Sequence, residues 1–80
     1  MKKYFYIESI NKGDFIYYSF KNFIDGTLIT IGYNKEYNFY NCKVSSLYDA
    51  VSLFHAESKK EVLKKLYKYN ILLNNGKFSF

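Results

Sequence analysis

The chain predicts an α+β fold: an antiparallel four-stranded meander followed by two amphipathic helices packed on one face of the sheet. The expected order is ββββαα, with a short C-terminal strand or hairpin to follow, all in one small domain spanning residues 1–80. Three observations carry this. Residues 3–44 run in strand-like segments separated by Gly- and Asn-containing turns. From Ser45 the apolar spacing becomes helical. The chain has 80 residues, 49% hydrophobic and 22% aromatic. That is enough to fill one small core, because each buried aromatic removes on the order of 150–250 Å² from water.

The first strand is "KYFYIESI" (3–10), with Phe5 and Ile7 alternating against Tyr4, Tyr6 and Glu8. "NKGD" then turns the chain into "FIYYSF" (15–20), which continues toward Ile24. The Asp25-Gly26 pair suits a tight hairpin, since both central positions take positive φ. "TLITIGY" (27–33) is rich in β-branched residues, and "YNFYNCKV" (37–44) alternates Tyr40, Cys42 and Val44 against Phe39, Asn41 and Lys43. Connections of about two to five residues make consecutive strands antiparallel neighbours. Both faces of the first two strands carry aromatics, so the pattern leaves the buried face open. The expected core-facing set is Phe5, Ile7, Ile16, Tyr18, Ile29 and Ile31, with Cys42 as a small buried apolar residue.

In "SSLYDAVSLFHA" (45–56), Leu47, Ala50, Val51 and Phe54 fall at i, i+3, i+4 and i+7, one face of a helix. Ser46 is its expected cap, with Asp49 near the positive end of the dipole and His55 near the negative end. The second helix starts at Ser58, where Ser58 and Glu61 fit a capping box, and stops at Asn70. Val62, Leu63, Leu66, Tyr67 and Tyr69 form its apolar stripe. "ILLNNGKFSF" (71–80) reads as a hairpin or a single strand after a turn.

Net charge is +5, and all twelve basic residues are lysine. Residues 59–68 hold five lysines and one glutamate, against seven lysines and six acids elsewhere. Lys60, Lys64, Lys65 and Lys68 span an arc of roughly 140° at 100° per residue. They are the candidate polyanion-binding set, suited to salt-sensitive, non-specific nucleic-acid binding. Sequence-specific reading is disfavoured, because base recognition leans on Arg and Gln and the chain has neither. Lysine-rich, arginine-free composition also fits A/T-rich coding, as in a low-GC bacterium or a phage or mobile element living in one.

Ten tyrosines are too many for one small core. The surplus points to a tyrosine-rich sheet face as the candidate protein-binding surface: Tyr4, Tyr6, Tyr17, Tyr33, Tyr37 and Phe39. Tyrosine supplies interface area at low entropic cost. Homodimerisation through this face, or through an edge strand, would serve as well.

Catalytic types are few. One cysteine and one histidine exclude a zinc site within a monomer, and no phosphate loop or dinucleotide fingerprint is present. The expectation is a non-enzymatic protein-binding module without cofactor. It would act by occluding a macromolecular surface, as a phage or mobile-element inhibitor of a host defence protein would. Nucleic-acid binding through the second helix is the alternative. The lone cysteine removes any need for an oxidising compartment. No apolar run reaches the roughly 20 residues of a membrane span. The expected location is the cytoplasm, the host cytosol if phage-encoded, with no membrane partner.

Overall fold

A computed structural model describes residues 1–74. The elements are β1 (Lys2–Lys12), β2 (Phe15–Lys21), β3 (Leu28–Asn34), β4 (Phe39–Ser45), β5 (Ala50–Ala56), α1 (Lys59–Lys68) and β6 (Ile71–Leu73). The strands form one mixed sheet in the order β5-β4-β3-β2-β1-β6, curled into a half-barrel. β1 to β5 are successively antiparallel, whereas β6 returns to lie parallel to β1. The helix packs against β5, β6 and β4. Since β5 and β6 are opposite edges of the sheet, α1 spans the open side of the half-barrel.

This corrects the expectation of four strands and two helices. Residues 45–56 are not a helix. Ser46 N–H donates to the Asp49 carbonyl (2.7 Å), and Ser46 Oγ accepts from the backbone of Tyr48 and Asp49. Ser46 thus caps a turn, and the chain folds back as β5 on β4. The misleading signal has a geometric cause. Register shifts between Cys42 and Lys43, so that Val51 opposes Val44 while Phe54 opposes Cys42. The extra residue of a bulge puts side chains three apart on one face, which is also what a helix does. His55 therefore lies near the end of β5, opposite Asn41, not at a helix end.

The first strand also faces the other way. Tyr4 is buried and Tyr6 half-buried, whereas Phe5 and Ile7 are exposed. A bulge between Tyr6 and Glu8 shifts the register further along β1. A one-residue slip of strand register exchanges its two faces, and Tyr4 tolerates the inner face because its hydroxyl bonds Thr27 Oγ1 at 2.7 Å. Of the expected core, Ile29 and Ile31 are fully buried, while Ile16 and Tyr18 are half-buried. Phe20, Cys42, Phe54 and Ala56 complete the concave face, against which Val62, Leu66 and Ile71 pack.

The α1 start follows its sequence signal. Ser58 Oγ accepts from Glu61 N–H at 3.1 Å, while Glu61 carboxylate accepts from Glu57 N–H at 3.3 Å. Asn70, at φ 65, takes the left-handed conformation that ends the helix. Only Val62 and Leu66 of the expected apolar stripe are buried. Each contributes about 1.5–3 kcal/mol by leaving water. Of the C-terminal strand or hairpin expected over 71–80, the strand is present as β6 (Ile71–Leu73), and the residues after Asn74 lie outside the described residues.

Candidate interaction surfaces

The six aromatic candidates do not share a face. Tyr4 sits in the core, where it contacts no partner surface. Tyr6 and Tyr33 are on the concave side. Tyr6 meets the Phe20 ring at 5.9 Å, and the Tyr33 and Tyr40 rings meet, tilted, at 4.6 Å while the Tyr33 hydroxyl donates to Asn38 Oδ1. The phenols of Tyr18 and Tyr40 are shifted up by burial first and by neighbouring tyrosines second. Tyr37 is exposed in the β3–β4 turn. Tyr17 and Phe39 are on the convex side, Tyr17 stacked on Phe15 at 5.7 Å and Phe39 on His55 at 5.3 Å. Between these pairs lies Gly32, opposite both Tyr17 and Asn41. A Cβ there would stand 2.6 Å from Asn41 Oδ1 and 3.3 Å from the Tyr17 ring. The glycine is what lets the two side chains close over the sheet.

The four lysine candidates also divide. Lys65 Nζ donates to the His55 carbonyl at 2.7 Å and pairs with Glu61 at 3.0 Å. Lys60, Lys64 and Lys68 point away from the sheet, with no ion-pair partner among the described residues.

The most exposed apolar side chains lie elsewhere, at one end of the half-barrel. The β2–β3 loop (22–27) is longer than the tight turn expected from Asp25-Gly26. Buried Asn22 organises it: its Oδ1 accepts from the backbone N–H groups of Ile24 (2.9 Å) and Asp25 (3.0 Å). Asp25 accepts from both the N–H and the hydroxyl of Thr27 and from Lys2 Nζ at 2.8 Å. The Lys2 ammonium first, and Thr27 second, hold the Asp25 carboxyl well below the usual carboxylate range. On this braced loop Ile24 is 97% exposed, and Phe23, also exposed, meets Phe5 at 5.8 Å. A groove of about 650 Å³ lies beside it, lined by Lys3, Phe5, Phe23, Ile24 and Asn70 among others. A second concavity of about 410 Å³ joins Asp25 and Gly26 to Leu47 of the β4–β5 loop. There Leu47 is 88% and Tyr48 89% exposed. The sequence reading missed this end, because "NFIDG" reads as a strand running into a turn. The available signal was Asn22, a side chain able to hold backbone N–H groups two and three residues on.

Cys42 and His55 are not brought together. Cys42 is in the core with its thiol pushed up to about 12 by burial. His55, opposite Asn41, is on the convex side with Phe39. Among the described residues, no three His, Cys, Asp or Glu side chains converge as a metal site would require, and no helix is long and apolar enough to cross a membrane. Comparison with models of known protein families, with curated proteins and with solved structures finds no match for this chain.

Proposed function

We propose that the chain is a small protein-binding module that acts by occlusion, with the apolar loop end as its contact surface. The observation that carries this is Ile24, nearly fully exposed on a loop whose conformation is fixed by Asn22 and Asp25. A solvent-facing isoleucine gains nothing for folding. Buried in a partner it contributes about 1.5–3 kcal/mol, and a braced loop loses little conformational freedom on binding. Phe5, Phe23, Leu47 and Tyr48, all exposed, extend the same apolar end, and exposed apolar patches mark interaction sites. Tyr17 and Phe39 remain accessible on the convex face. Occlusion by a mobile-element inhibitor of a host protein fits this mode. Tying up Lys65 weakens the nucleic-acid alternative by one contact.

The test is affinity capture from host extract with the natural chain, with a Phe23→Ser, Ile24→Asp double variant, and with a Lys60→Glu, Lys64→Glu double variant. The proposal expects a stoichiometric protein that survives about 0.5 M salt, where surface ion pairs are screened, and that the loop variant loses. Capture of nucleic acid alone, released by salt, refutes it. So does a protein partner that the loop variant retains.

A further inference from the structure

Helix α1 carries an unexplained surface. Its Val62–Leu66 ridge is buried and its Lys65 flank is engaged with β5. On the flank roughly opposite Lys65 at 100° per residue, Leu63 is 49% and Tyr67 69% exposed. These two stand one helical turn apart, and the row Lys60, Lys64, Lys68 runs immediately beside them. The row repeats at i, i+4 and i+8, where like charges repel one another. The neighbouring carboxylate, Glu61, is spent on Lys65 and on the Glu57 N–H. Among the described residues Lys60, Lys64 and Lys68 form no ion pair, so three cations and two apolar anchors share one face.

The geometry points to this face as a docking site for an acidic, amphipathic protein segment. Its carboxylates would meet Lys60, Lys64 and Lys68, and its apolar ridge would cover Leu63 and Tyr67. Two features select this occupant over a nucleic acid. Leu63 offers nothing to a phosphate backbone, whereas an i, i+4 apolar pair is the anchor spacing of helix-in-groove recognition. Lysine rows beside such anchors give electrostatic complementarity, which speeds encounter and fixes register. The surface is separate from the loop end, so the two stand or fall independently.

The experiment is a titration of the ¹⁵N-labelled chain, followed by amide shifts, with four probes. They are a helical peptide with a leucine stripe flanked by glutamates, the same peptide with lysines for glutamates, a thymidine oligonucleotide, and phosphatidylglycerol vesicles. The inference expects saturable shifts centred on residues 60–68 with the glutamate peptide and none with the lysine peptide. Leu63→Ala, Tyr67→Ala and Lys60→Glu, Lys64→Glu double variants, each checked for native amide dispersion, should each weaken binding about tenfold or more, the scale of losing interface anchors. The inference is overturned if the glutamate peptide leaves the helix unshifted. It is equally overturned if the Leu63→Ala, Tyr67→Ala variant binds within about twofold of the natural chain, or if oligonucleotide or vesicles engage these residues more tightly than the peptide.

Discussion

Replacing Asn22 by Ala tests whether the β2–β3 loop is built or merely exposed. Asn22 is the one buried polar residue among the described residues, and its Oδ1 is the shared acceptor for the Ile24 and Asp25 N–H groups. Alanine removes that acceptor but leaves the backbone bonds from Asn22 N–H to the Thr27 carbonyl and from Gly26 N–H to the Asn22 carbonyl. A net hydrogen bond is worth about 1 kcal/mol, and an unsatisfied donor costs about 1–3 kcal/mol. The two donors are only partly buried, so water recovers part of the loss, and about 2 kcal/mol is expected overall. In a domain of this size, that corresponds to a fall in melting temperature of roughly 8–16 °C. Two assays separate the global from the local effect. Urea unfolding reports the stability loss, and amide exchange should quicken at Ile24 and Asp25 more than at Ile29 or Ile31. Partner affinity should also fall, though neither Phe23 nor Ile24 has changed, because loop ordering at about 1–2 kcal/mol per residue is then deferred to binding. A stability loss below about 0.5 kcal/mol, within the ordinary range of surface substitutions, with unchanged exchange at Ile24 would refute the claim that Asn22 holds the loop.

The ion pair of Asp25 gives a pH prediction. Its folded pKa lies below the unfolded one, so its stabilisation is complete above about pH 4 and is lost as pH falls toward the folded value. Urea midpoints of the natural chain and of Asp25→Asn should therefore keep a constant gap from about pH 7 to about pH 5 and draw together as pH falls below about 4; a gap unchanged down to about pH 2 would show that Asp25 acts by packing. Gly32→Ala should cost about 1–3 kcal/mol by overpacking, and adding Asn41→Ala should return at least half of it in a double-mutant cycle, because the nearest clash is with Asn41 Oδ1. The buried Cys42 thiol should resist a thiol reagent at pH 8 in the native state and react at the rate of unfolding; fast native labelling would refute its burial. The Lys65→Met, Tyr69→Phe double variant should associate in a concentration-dependent manner in sedimentation, since both side chains cover carbonyls on the β5 edge; a persistent monomer would show that the edge needs no cover.

How far the fold was legible depended on whether a signal was local. β1 to β4, the turn at Gly13, the capped start of α1 and the inward Ile29, Ile31 and Cys42 all follow from periodicity and turn chemistry within a few residues. β5 did not, because a bulge counterfeits helical spacing at Val51 and Phe54. The face of β1 did not, because Tyr4 and Phe5 are equally good occupants of a core until Thr27 supplies a hydroxyl for Tyr4. β6 pairs with Lys2–Tyr4 from the far end of the chain, and no short window carries that information. The tyrosine set divides between the two faces for the same reason: without the register, six aromatics cannot be sorted. Ile24 was hidden by the Asp25-Gly26 signal, which marks a turn but not the length of the loop around it.

The fate of Lys65 shows how fold and contact surface draw on the same residues. An edge strand exposes unpaired carbonyls that invite another chain. On β5 the outward carbonyls of Leu53 and His55 are instead taken by Tyr69 hydroxyl at 3.1 Å and Lys65 ammonium at 2.7 Å. The helix therefore does two jobs in closing the half-barrel: Val62 and Leu66 seal the core, while Lys65 and Tyr69 block the edge. Lys65 can do this only by leaving the lysine cluster, and Glu61 goes with it. What remains on the far flank is Lys60, Lys64 and Lys68, none in an ion pair among the described residues, beside exposed Leu63 and Tyr67. Strand addition at β5 is thereby discouraged at Leu53 and His55. Among the described residues, side-chain surfaces remain open to a partner, the apolar loop end and the outer flank of α1 among them.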